Sequence, residues 1–112
     1  MFFIKSANRV IHWTSHAKVK MRFYRLSEQR VRRILNSPKR IEGGIAPHTL
    51  AMMQPASVKT MGGKQVWSQE IWVMVQKSDK KTKFISAWRY PGMTKPGDPL
   101  PEEILKEIKS LI

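Results

Sequence analysis

Residues 65–76, Gln-Val-Trp-Ser-Gln-Glu-Ile-Trp-Val-Met-Val-Gln, include the longest apolar run of the chain, which extends from Ile71 to Val75. Successive residues of a strand point to opposite faces of its sheet. One face would then carry Trp67, Ile71, Val73 and Val75, and the other Trp72 and Met74. Since large apolar side chains occur on both faces, we expect a strand within a sheet that is partly covered on each side.

Further strands are expected on either side of this one. Thr49–Gln54 precedes it and is separated from it by Gly62-Gly63, which is typical of a turn. Lys83–Tyr90 follows a polar turn at residues 78–81. Residues 8–13 are rich in strand-forming side chains and predict a short N-terminal strand.

Two helices are predicted between the first strand and Pro38. Thr14-Ser15 are good N-caps, and apolar residues recur at helical spacing from His16 to Leu26. Ser27 is a second predicted N-cap, and its helix has to end before Pro38.

The C-terminal part is predicted to be a linker followed by a helix. Residues 91–100 are rich in Pro and Gly, and residues 101–112 form an amphipathic helix with Ile104, Leu105 and Ile108 on one side. A chain of 112 residues builds one core. We therefore predict a single α+β domain over residues 1–112, with a core at 1–90. A short N-terminal strand and two helices would pack on an antiparallel sheet of three to four strands.

Positive charge is concentrated in residues 18–40, where nine Lys and Arg residues are opposed only by Glu28. The chain carries a formal charge of +13, so we expect a polyanionic partner, and nucleic acid is the first candidate. No apolar run is long enough to span a membrane. A membrane surface is a weaker candidate for the anion, because the apolar residues of the basic segment are expected to lie in a core, so we expect no membrane partner. The absence of cysteine excludes disulfides and thiolate zinc sites and fits a reducing cytoplasm, where we expect the protein. His12 and His16 have no third ligand nearby, so no metal or other cofactor is expected.

The segment His16-Ala17-Lys18-Val19-Lys20-Met21, followed by Arg25-Leu26-Ser27 and Val31, resembles the His-Ala-x-x-Arg-Met signature of a widespread bacterial family of small uncharacterised domains. The strand from Phe84 to Arg89 is similar to the Ile-Ile-Ser-Ala-Arg strand of BrnT-type toxins, which belong to the RelE-like, barnase-like group of metal-independent ribonucleases. Lys20 stands where the signature has Arg, and Trp88 stands where the toxin strand has Arg. The resemblance covers residues 9–90 and implies helices packed on an antiparallel sheet whose open face holds RNA.

Metal-independent RNA cleavage needs a base for the 2′-OH proton, cations for the phosphorane and an acid for the leaving oxygen. His16, in the first turn of its helix, is the predicted base, and Lys20 lies one turn further on the same helix face. Arg25 and Arg89 are predicted as further phosphate ligands. Glu70 or His48 would be the second proton-transfer group.

The expected function is a toxin-like endoribonuclease, held inactive by a separate acidic antitoxin. Residues predicted to contact nucleic acid are Lys18, Arg22, Arg25, Arg30, Arg33, Lys39, Arg40 and Trp88, with Trp88 and Tyr90 as a stacking surface. One alternative is a catalytically silent domain that binds RNA or ribosomes. Another is a DNA-binding protein that uses the two helices as a helix-turn-helix.

Overall fold

The computed structural model describes residues 10–44 and 47–110. Its helices are α1 (Ser15–Phe23), α2 (Glu28–Asn36) and α3 (Glu102–Lys109). Its strands are β1 (Val10–Trp13), β2 (Arg40–Gly43), β3 (Thr49–Pro55), β4 (Lys59–Met61), β5 (Lys64–Val66), β6 (Gln69–Lys77) and β7 (Lys81–Pro91). Five strands form one sheet in the order β1-β7-β6-β3-β2, and β4 and β5 form a separate hairpin. The α+β class is confirmed.

The sheet has more strands than the sequence predicted, and its strands are not all antiparallel. β1 pairs parallel to β7, whereas the other pairs are antiparallel. The hydroxyl of Thr14 donates to the carbonyl of Phe84 at 2.7 Å and accepts from the amide of Ala17 at 3.1 Å. Thr14 thus ties the end of β1 to β7 and caps α1 at the same time. A parallel pair between segments seventy residues apart leaves no local pattern in the sequence.

Helices cover both faces of the sheet. α1 and α2 bury their apolar sides against one face, and α3 packs on the other through Ile104 and Ile108. We call these two sets the first core and the second core. The expectation of an open sheet face that holds RNA is therefore wrong, because the second core occupies it with Trp72 and Trp88, whose rings stack 6.0 Å apart.

The face of Trp67 was also predicted wrongly. The expected strand over residues 65–76 is interrupted between Val66 and Gln69, where β5 ends and β6 begins. The alternation of side chains is lost across this break, and Trp67 packs against the second core and not beside Ile71.

The corner between α1 and α2 positions the basic residues that follow. Ser27 caps α2 by accepting from the amide of Arg30 at 3.0 Å, as the sequence predicted. Arg25 has a φ of 57°, a left-handed conformation that glycine adopts more readily. The chain therefore turns sharply after α1, and Leu26 enters the first core.

The linker at residues 92–100 is fixed to the sheet, although it forms no helix or strand. Thr94 bonds to Glu70 through its amide and its hydroxyl, and the amide of Gly97 donates to Glu42 at 3.1 Å. These contacts guide the chain to α3. Within the described ranges, no helix has both the length and the apolar character needed to cross a membrane.

Candidate nucleic-acid-binding site

Glu70, predicted as a proton-transfer group, is a fully buried structural carboxylate. It accepts four hydrogen bonds of 2.8–2.9 Å, from the indoles of Trp67 and Trp72 and from the amide and hydroxyl of Thr94. Burial alone would raise the pKa of Glu70, but the bonds from Trp67, Thr94 and Trp72 outweigh burial and hold the pKa below its usual value. Glu70 thus binds the linker to β6 and is closed to substrate.

Several other predicted site residues are also committed to the fold. Trp88 is 1% exposed and offers no stacking face, because it faces the second core. Arg40 donates to the carbonyl and hydroxyl of Thr94, lies 3.0 Å from Glu42, and sits over the Trp72 ring. Lys39 donates to Gln65 at 3.0 Å. Trp88 and Arg40 therefore lie on the side of the sheet that faces the second core, whereas Lys39 remains exposed.

His16 and Lys20 meet at one carboxylate, that of Glu107 on α3. Lys20 Nζ donates to Glu107 Oε1 at 2.9 Å, and His16 Nε2 lies 3.5 Å from Glu107 Oε2. The Lys20 side chain is only 15% exposed, and His16 Nε2 is buried without a hydrogen bond among the described residues. The predicted pair thus shares one helix face, as its spacing indicated, but α3 lies across it.

Glu107 could not be recognised as a site residue from local pattern. It is 87 residues from Lys20, and its neighbours identify it only as part of an amphipathic helix. The relevant signal is the charge asymmetry of the chain. Residues 98–112 hold four acids and two Lys, whereas the residues before them carry a large excess of Lys and Arg. An acidic helix packed on a basic domain is expected to find a cationic partner there.

Arg30 and Arg89 are held on the α1–α2 face of the sheet by neutral acceptors. Ile71 on β6 is opposite Gln54 on β3 and opposite Arg89 on β7, so the three side chains share one face of the sheet. Arg30 donates to Gln54 at 2.6 Å and to the carbonyl of Pro55 at 3.1 Å. Since neighbouring strands lie about 4.8 Å apart, Gln54 and Arg89 are separated by roughly 10 Å.

Arg89 also connects the sheet to the end of α1. Its Nε donates to the carbonyl of Tyr24 at 2.8 Å, and its Nη1 donates to Gln69 at 3.0 Å. A guanidinium has five donors, so these two bonds leave others for a ligand. Arg89 thus holds a fixed position beside the α1–α2 corner, as expected of a phosphate ligand that is oriented in advance.

We call Arg30, Arg33 and Arg89 the arginine cluster, because Arg33 lies one helical turn after Arg30 and the charges of Arg33 and Arg89 both act on Arg30. Partial burial is the main cause that lowers the pKa of Arg30 from its usual value, and the neighbouring charges of Arg33 and Arg89 lower it further. Among the described residues, no carboxylate forms an ion pair with any member of the cluster. Like charges gathered without a counter-ion create a field that attracts anions.

The surface around the arginine cluster is also basic. Three further predicted contact residues are exposed on α1 and at the corner after it: Lys18, Arg22 and Arg25. His48 instead lines a cavity of about 260 Å³ with residues of the β6–β7 turn. Within residues 10–44 and 47–110, no group of three or more His, Cys, Asp or Glu side chains is arranged to hold a metal ion.

Comparison with known proteins adds no assignment to this geometry. No family model, curated protein or solved structure matches the chain. The function is therefore argued from the site and from the short motifs of α1 and β7.

Proposed function

We propose that this protein binds single-stranded RNA through the phosphate backbone, at the arginine cluster and the exposed cations of α1. The observation that carries the proposal is the grouping of Arg30 and Arg89, both oriented by amide and carbonyl oxygens, with the exposed Arg33. None of the three has a carboxylate partner in the described chain. Guanidinium groups match phosphate oxygens with pairs of parallel hydrogen bonds. A phosphate is the counter-ion that such a group lacks.

Two considerations favour RNA over a DNA duplex. The strand β7 resembles the Ile-Ile-Ser-Ala-Arg strand of BrnT-type ribonuclease toxins. In addition, Arg30 is bonded to the sheet and does not project from α2 as a base-reading side chain of a recognition helix does. A binder that contacts mainly phosphates is expected to show little preference among base sequences.

Replacing Arg33 by Gln tests the proposal, because Arg33 is the exposed member of the arginine cluster and its side chain supports no other residue in the described structure. We expect the affinity for two unrelated single-stranded RNAs to fall by a similar factor, about tenfold for one lost charge-assisted contact. Fluorescence anisotropy with end-labelled oligonucleotides at about 0.1 M salt, where the screening length is about 10 Å, measures both affinities.

Lys64→Gln is the matched control, since it also removes one exposed positive charge, but from β5 in the separate hairpin. Its affinity should stay within about twofold of wild type, because distant exposed charges are screened by salt. If Lys64→Gln and Arg33→Gln weaken binding equally, the net charge binds RNA and the arginine cluster has no special role.

A second candidate function, RNA cleavage, is favoured by the close approach of His16, Lys20 and Glu107. With its Nε2 beside the Glu107 carboxylate, the imidazole favours a proton on Nε2 and leaves Nδ1 as the basic nitrogen. Nδ1 would accept the 2′-OH proton while the oxygen attacks phosphorus, and the leaving 5′-oxygen would take a proton from water. An ammonium has three donors, so Lys20 can hold Glu107 and a phosphate oxygen together.

A further inference from the structure

Phe23 and Val19 form an exposed apolar pair on a helix whose other large apolar residues are buried or half-buried. Both belong to the apolar residues that recur at helical spacing in the first predicted helix, which indicates burial. In the structure, however, Phe23 is 73% exposed and Val19 is 52% exposed. They are four residues apart and therefore neighbours on the surface of α1. A fold that buries Met21 and leaves the larger Phe23 ring in solvent has not used that ring for its core.

The exposed ring has a defined orientation. It packs edge-to-face on Tyr24, with ring centroids 4.8 Å apart and an angle of 88° between their planes. Lys20 Nζ lies 5.9 Å from the centroid of the Phe23 ring. The carbonyl of the next residue, Tyr24, accepts the hydrogen bond from Arg89. The ring thus lies beside Lys20, and the backbone of the residue that follows it contacts Arg89 of the arginine cluster.

We propose that Phe23 is a stacking site for one base of a single-stranded RNA whose phosphates lie on the arginine cluster, an inference that rests on the proposed function. Bases of single strands stack on exposed aromatic rings whatever their sequence, because every base has an aromatic face. Lys20 beside the ring and the exposed Arg22 and Arg25, which are close to Phe23 in sequence, supply cations for the phosphates on either side of a stacked base.

The charge of the surroundings argues against a second copy of this chain as the occupant, and the size of the pair argues against a protein interface. A second copy of this chain would bring a charge of +13 against another +13. A stable protein interface also buries about 800 Å² on each partner, and one ring with one valine supplies only a small part of that area. A single base of an RNA strand matches the small area of the pair, and the negative phosphates beside that base match the positive charge around it.

The test compares two RNA hexamers that have the same phosphates, one of mixed sequence and one with abasic ribose throughout. We expect wild type to bind the intact hexamer about 5- to 150-fold more tightly than the abasic one, the range for one stacked base. Phe23→Leu keeps an apolar side chain but removes the ring, and should lose most of this preference while it still binds both hexamers. Met61→Ala, which truncates an exposed apolar residue on the β4–β5 hairpin, should keep the preference in full.

The outcomes separate this inference from the function on which it rests. Equal binding of both hexamers by wild type, or an undiminished preference in Phe23→Leu, would overturn the stacking site and leave phosphate binding intact. Failure of wild type to bind either hexamer at low salt would overturn both. Sedimentation velocity measures the oligomeric state of wild type and Phe23→Leu. A wild-type dimer that becomes a monomer in Phe23→Leu would show that Phe23 and Val19 form an interface between two copies, which would overturn the proposal.

Discussion

Replacement of Glu70 by Ala is expected to lower the free energy of unfolding by about 3 kcal/mol or more. The substitution leaves the indole N–H groups of Trp67 and Trp72 and both donors of Thr94 without their acceptor. A buried polar group that loses its partner costs about 1–3 kcal/mol, and four donors lose theirs here, although relaxation and water will satisfy some of them. Chemical denaturation at neutral pH, followed by tryptophan fluorescence, measures the loss. An unchanged midpoint would contradict the structural role.

The pH dependence of the free energy of unfolding, compared between wild type and Glu70→Gln, provides an independent check. The pKa of Glu70 lies below its ordinary value of 4.5, so the folded state binds the proton less readily than the unfolded state. The stabilisation by ionised Glu70 is therefore complete above the ordinary value and is lost as the pH falls through the lowered pKa. Glu70→Gln has no such titration. The difference in stability between wild type and Glu70→Gln should be larger at pH 7 than at pH 3.

If the protein cleaves RNA in excess chelator, His16→Ala should lower the rate about 10²- to 10⁴-fold, the usual contribution of a general base. Since the imidazole is partly exposed and forms no hydrogen bond among the described residues, the fold should tolerate the loss. Glu107→Gln should also slow cleavage, because the carboxylate that orients the imidazole is lost. Gel analysis of a labelled RNA under single-turnover conditions measures these rates.

His12→Ala is the matched control, since His12 is exposed on β1 only four residues earlier. It should cleave at the wild-type rate. Cleavage by His16→Ala at the wild-type rate would refute the assignment of the base. A wild-type protein that binds RNA in chelator but never cleaves it would leave phosphate binding as the whole function.

Local sequence predicted the elements whose signals are local. The N-caps Thr14 and Ser27 were correctly identified, because side-chain oxygens that satisfy the first helical amides act within three residues. The buried side of α3 followed from helical periodicity alone, since Ile104 and Ile108 are four residues apart and both enter the second core.

Features that depend on distant partners were missed. β2 was not predicted, because Arg-Ile-Glu-Gly becomes a strand only by pairing with β3. The prediction of Glu70 as a catalytic group is wrong, because its hydrogen-bond donors, two indoles and a linker threonine, come together only in the folded chain and leave no local pattern in the sequence. The same limit applies to the candidate site: the shared face of His16 and Lys20 was predictable from their spacing, whereas the approach of Glu107 was not.

The dependence of RNA affinity on salt tests most directly the central claim, that the protein binds RNA through its phosphates. The affinity of wild type for a single-stranded RNA should fall linearly on a log–log plot against salt concentration, with a slope of about −0.7 for each phosphate neutralised. Three phosphates at the arginine cluster give about −2, and the exposed cations of α1 make the slope steeper. A slope near zero, or no binding at low salt, would contradict the account.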